Sequence, residues 1–147
     1  MNLNYSIGMM FVFSFVIQYL IMSYIMTNSY KDVVSSKGKL YASLIMALFM
    51  CLVEILMHDL YTQSFSKNYY IVFIILLTLV IIFYRKQVFI NDKDYLNGMI
   101  EHHSMALLTS NKALSKTKDG TVSQLASNII KTQEQEIDVM KKKVKDL

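Results

Sequence analysis

Three long apolar runs dominate the first 84 residues, and a polar, helix-spaced pattern takes over after residue 90. The runs are Ile7–Met26 (IGMMFVFSFVIQYLIMSYIM), Leu40–Met57 (LYASLIMALFMCLVEILM) and Tyr70–Tyr84 (YIVFIILLTLVIIFY). About 20 apolar residues carry a helix across bilayer hydrocarbon. The first two runs meet that length, and the third reaches about 22 Å at about 1.5 Å per residue. Arg85 and Lys86 can snorkel from its end, and Tyr69, Tyr70 and Tyr84 suit the membrane interfaces. Residues 1–90 therefore read as a membrane domain with three transmembrane helices, about 7–26, 40–57 and 70–84. The first run lacks a basic leader and exceeds the usual signal-peptide core, so it reads as a retained span.

From Asn91 the periodicity becomes that of amphipathic helices. Asn91 or Asp92 can cap a helix running to about Lys116. Lys118–Gly120 is a turn signal. Thr121 and Gln124 have the spacing of a capping box that opens a second helix. The first helix carries a stripe of Leu96, Met99, Ile100, His103, Ala106, Leu107, Ser110 and Leu114. The second carries Val122, Leu125, Ala126, Ile129, Gln133, Glu136, Ile137, Met140 and Val144. Steps of three and four put each set on one face. Residues 91–147 thus read as an antiparallel helical hairpin, and the fold class as all-α. His103 lies 16 residues before Asp119 and Glu136 lies 16 after Gly120. Equal rise places these two level, and Met99 level with Met140 by the same count.

Composition agrees with a membrane chain. Apolar residues make up 54%, and Pro and Trp are absent. The lone Cys51 lies in the second run, where it reads as a small buried residue without a disulfide partner. The net charge of +4 comes mostly from the end of the chain. Lys141–Lys145 (KKKVK) is the densest basic cluster. It suits anionic lipid or nucleic acid, but no aromatic residues interleave with it as a nucleic-acid platform requires. It reads better as the solvated C-terminus of a helix, where cations complement the dipole. With three spans, the first connection and the hairpin share a side. Both are the more basic segments, which puts them in the cytoplasm by the positive-inside rule.

The candidate chemistry sits in Met99–Met105, MIEHHSM. Met99, His102 and His103 fall at i, i+3 and i+4, and Met105 lies three after His102. Imidazole with thioether favours copper, above all Cu(I); imidazole with carboxylate also suits Cu(II) or Zn. Glu136 and Met140 can complete a shell from the second helix, with Gln133 orienting a histidine behind it. The competing reading is plain packing: His103 a satisfied core histidine, His102 a surface one, the methionines filler. Spacing alone leaves both open.

YLNGMIEHHSMALLTSNKAL followed by QLASNIIKTQEQEIDVMKKKVKDL resembles the family called domain of unknown function 305. Its hallmark is Met-Ile-x-His-His-x-x-Ala on one helix, then Gln-x-x-Glu-Ile-x-x-Met on the next. Those positions here are Met99, Ile100, His102, His103 and Ala106, then Gln133, Glu136, Ile137 and Met140. The resemblance implies a ferritin-like helical fold and, as in some members, copper bound by His and Met. A subset places three membrane spans before one such hairpin. Many members carry two hairpins in a four-helix bundle. A single hairpin leaves a stripe uncovered, which implies a homodimer or packing on the membrane part. Copper-binding relatives often work outside the cytoplasm, against the charge count.

Met46, Met50, Glu54 and His58, each four apart in the second run, form a further ladder. It is a second soft-metal site or transfer path on one reading, and flexible apolar filler on the other. No Glu-x-x-His of the di-iron enzymes occurs, nor a nucleotide loop or hydrolase triad, so the sequence argues against an enzyme. The expectation is a membrane-anchored protein that binds metal, copper first, through Met99, His102, His103, Met105, Glu136 and Met140, in metal homeostasis or tolerance. Its partners would be membrane lipid, a second copy and a metal donor or acceptor protein. The alternative is a structural anchor whose hairpin dimerises or docks a partner without metal.

Overall fold

The computed structural model describes residues 2–147, and all regular structure among them is helical. Helix α1 (Leu3–Met26) contains one π turn, Ile17–Ile21. A 3₁₀ turn (Tyr30–Asp32) follows, then α2 (Lys37–Thr62), α3 (Lys67–Arg85), α4 (Asp92–Leu114) and α5 (Gly120–Lys145). Three of these, α1, α2 and α3, are long and apolar enough to cross a membrane. Each outruns its apolar run, because the backbone ladder continues through polar flanking residues such as Lys37–Lys39 and His58–Thr62.

The chain divides into two compact units. The first joins the chain up to Ile21 with Gly38–Phe89. Among its buried residues on α2, Ser43, Ala47, Cys51 and Ile55 recur every fourth position, with Asp59 continuing the row and Leu48 beside it. Of these, Ser43, Ala47 and Cys51 are small. Small residues let helix backbones approach closely. Cys51 thus serves as a small packing residue, its thiol 3.8 Å from the Ile7 carbonyl oxygen. Ile7, Cys51 and Ile55 form a cluster flanked by Leu3, Phe11 and Phe73. At the end of α2, Gln63 turns into the left-handed region (φ 52°). Asp59 then accepts from the Ser66 amide at 2.8 Å and the Ser66 hydroxyl at 2.7 Å, fixing the entry to α3.

The second unit joins Met22–Lys37 to Ile90–Leu147. The hairpin expected over 91–147 therefore packs together with the connection that precedes α2. Asn91 caps α4 by accepting from the Asp94 amide at 2.8 Å. Asp119, not Thr121, caps α5, accepting from the Val122 amide at 2.9 Å. Asp119 comes two residues earlier and its carboxylate takes the free N–H, so Thr121 falls inside the helix rather than opening a capping box. The core is Ile100, Leu107, Ile137 and Met140, with Val34 from the connection packed against it beside Leu96, Met99, Ile130 and Val144. Val122 and Leu125, assigned above to the inward stripe, are exposed. Ala126 of the same stripe is buried as expected, and Ile130, which the stripe left out, packs against the core.

Polar contacts fasten the connection along α4. The Asn28 amide donates to the Ser104 carbonyl at 3.2 Å and the Ser104 hydroxyl at 3.1 Å. Asn97 donates to the Ser35 carbonyl at 3.2 Å. Lys37 pairs with Asp94 at 2.9 Å. Burial works against the Asp94 carboxylate. The Lys37 ammonium and amide and the Asn91 amide outweigh it, and together they hold Asp94 below the usual carboxylate range.

Candidate metal centre

Helices α4 and α5 bring His103 and Glu136 together, as the count from the turn requires. His103 Nδ1 lies 3.2 Å from Glu136 Oε2. The contact is close but not aligned as a hydrogen bond, so this buried nitrogen has no hydrogen-bond partner. His103 is 9% exposed, and the Glu136 side chain is 49% exposed. Burial pushes the His103 imidazole below the ordinary histidine value of 6.5; Glu136 opposes that shift and His102 adds to it. The imidazole is therefore neutral at pH 7, the form that binds metal.

The methionines divide. Met99 and Met140 pack in one cluster with Ile100 and Ile137, next to His103 on α4 and Glu136 on α5. Met105 is half-buried, two residues beyond His103, which turns it well around the helix from that ring. His102 is exposed, its ring centroid 6.1 Å from that of His103. Of the six expected residues, then, His103 and Glu136 are in contact, and Met99 and Met140, one helical turn away on the same two helices, pack together in the core. His102 stands at the rim and Met105 is set apart. Among the described residues no three His, Cys, Asp or Glu side chains gather around a common point. A metal held here would draw on thioether sulfur.

The ladder on α2 does not assemble in the same way. Met46 is exposed, Glu54 accepts from the Ser6 hydroxyl, and His58 Nδ1 lies 3.5 Å from Asp59.

Sequence reasoning missed a polar centre one residue from His103. Ser104 is fully buried and donates to Asp32 at 2.7 Å. Asp32 is also buried and pairs with Lys141 of α5. Lys141 thus leaves the solvated cluster to which its neighbours belong. The 3₁₀ turn that presents Asp32 begins at Ser29, whose hydroxyl accepts from the Lys31 amide at 3.3 Å. That Ser-x-x-Asp spacing was the available signal, but nothing local said which helix it would meet.

Three membrane-length helices and a hairpin in which a buried histidine meets a half-exposed glutamate define the class of this molecule. Residues 86–144 match the family model described as "Domain of unknown function (DUF305)". The chain is similar to "Uncharacterized protein L153" of Acanthamoeba polyphaga mimivirus, at 36% identity over 140 residues, 93% of this chain and 90% of that one. The chain belongs to the DUF305 family. No solved structure matches it.

Proposed function

We propose that this is a multi-pass membrane protein whose hairpin binds copper, as Cu(I), in metal homeostasis or tolerance. The carrying observation is the buried Nδ1 of His103: it has no hydrogen-bond partner and sits beside Glu136, and one helical turn from these two residues Met99 and Met140 pack in the same hairpin core. A buried nitrogen without a partner is costly, and coordination to a metal removes that cost. One imidazole with two thioethers is a soft donor set, which selects Cu(I) over Zn. His102 would close over the site from the rim. Such a protein needs no catalysis; it would take copper from one partner protein and pass it to another.

The test is titration of the full chain in detergent with Cu(I) under reducing conditions against a chromophoric competitor. One equivalent should bind, and His102→Ala with His103→Ala should abolish it while helical content stays. Met99→Leu with Met140→Leu should weaken Cu(I) without affecting residual Zn. Stoichiometric Cu(I) retained by the double-histidine variant would overturn the site. Zn binding as tight as Cu(I) would overturn the metal.

A second reading has one observation behind it. Leu125 and Val139 of α5 are 59% and 66% exposed, an apolar face that a second copy or a partner would cover. A metal-free dimer that survives both histidine substitutions would favour it.

A further inference from the structure

The basic end of α5 is held beside the end of the first span. Tyr24 lies in the last turn of α1, and its ring centroid is 6.0 Å from that of Tyr30. Two residues beyond Tyr30, Asp32 grips Lys141. The lysines that follow, Lys142, Lys143 and Lys145, are exposed, as is Lys31 on the 3₁₀ turn. Their exposed acidic neighbours are Asp138 and Asp146, so positive charge is in surplus. Tyr24 and Tyr30 are themselves 53% and 75% exposed at the level where a span meets headgroups.

We propose that Lys31, Lys142, Lys143 and Lys145, with Tyr24 and Tyr30, form a docking surface for anionic phospholipid headgroups in the leaflet where α1 ends. This rests on Leu3–Met26 being a membrane span, not on the metal site. Lysine ammonium groups meet lipid phosphate and carboxylate within a Debye length of the surface. The tyrosines bury their rings among the headgroups and keep their hydroxyls wet. The Asp32–Lys141 pair fastens the cluster there and spends one lysine in doing so.

The chain has no tryptophan, so Tyr30→Trp supplies a single fluorescent reporter. The full chain with this substitution is reconstituted in phosphatidylcholine vesicles containing a minority of phosphatidylserine. Bromine, a quencher, is carried by one lipid or by the other. A lysine at an anionic surface changes affinity by about fivefold. Quenching per bromolipid should therefore favour phosphatidylserine by about threefold or more. The preference should vanish in Lys142→Gln/Lys143→Gln/Lys145→Gln and in high salt, and persist in the matching arginine variant. Equal quenching by the two lipids would overturn the proposal, as would a preference that survives the glutamine variant. Loss of preference on adding inorganic phosphate, but not chloride of equal ionic strength, would overturn it in favour of a free-anion site. Failure of the chain to co-float with vesicles would overturn it together with the reading of α1 as a span.

Discussion

The buried acid Asp32 offers the sharpest test of how the connection holds the hairpin. Its side chain is 5% exposed and that of Lys141 is 38% exposed, so the two ends of the pair are not equivalent. Breaking a buried pair costs about 3–5 kcal/mol when the remaining charge is stranded. Lys141→Met keeps the aliphatic stem but strands the Asp32 carboxylate, with Ser104 donating to it at 2.7 Å. That places the cost near the lower end, about 3 kcal/mol. Asp32→Ala frees an ammonium that can reach water. What it costs is the acceptor of the buried Ser104 hydroxyl, about 1–2 kcal/mol. The double variant should cost little more than Asp32→Ala alone, a coupling of about 3 kcal/mol. Hydrogen exchange of the full chain in nanodiscs, read over α4, measures this directly. Exchange should quicken about 100-fold in Lys141→Met and about 10-fold in Asp32→Ala. The reverse order, or additive effects in the double variant, would refute the asymmetry argued from burial.

Other substitutions and titrations probe separate steps. Gly98→Ala should raise thermal stability by about 0.5–1 kcal/mol, since the added Cβ would meet only Ser36, at an ordinary 3.5 Å; a lowered melting temperature would show the α4 contact to be tighter than that. Gln63→Gly should relieve about 1 kcal/mol of left-handed strain, read as slower proteolysis at the α2–α3 turn. The Asp94 carboxylate should titrate below the usual 3.8 in a carbon NMR experiment, and its midpoint should move upward in Lys37→Ala. Because that folded value is depressed, its stabilisation is present above the unfolded value and lost as pH falls toward the folded one. His103 follows the same sign: neutral and buried, it favours folding above 6.5 and opposes it progressively below. Copper uptake should hold steady from neutral pH to about 6.5 and fall only below it; a midpoint above 6.5 would mean that His103 is not held neutral by burial.

How much was readable in advance depends on how local each feature is. Apolar run length and helical periodicity belong to neighbouring residues, so the three membrane-length helices and the two hairpin helices were legible from the residues alone. The His103–Glu136 pairing was legible as well, because a short turn between helices of equal rise leaves no freedom in the register. Helix ends were less so: the Thr121–Gln124 spacing pointed to Thr121, whereas Asp119 caps α5 because its carboxylate reaches the free Val122 amide. The sequence by itself therefore determined the elements, their order and the register of the hairpin, while near the turn the packed face of α5 departs from the stripe at Val122 and Leu125. Only the tertiary structure decided that Met22–Lys37 packs with the hairpin and that Asp32 reaches Ser104 and Lys141. These depend on contacts between residues up to 109 positions apart, and a segment without periodicity carries no local trace of its distant partner.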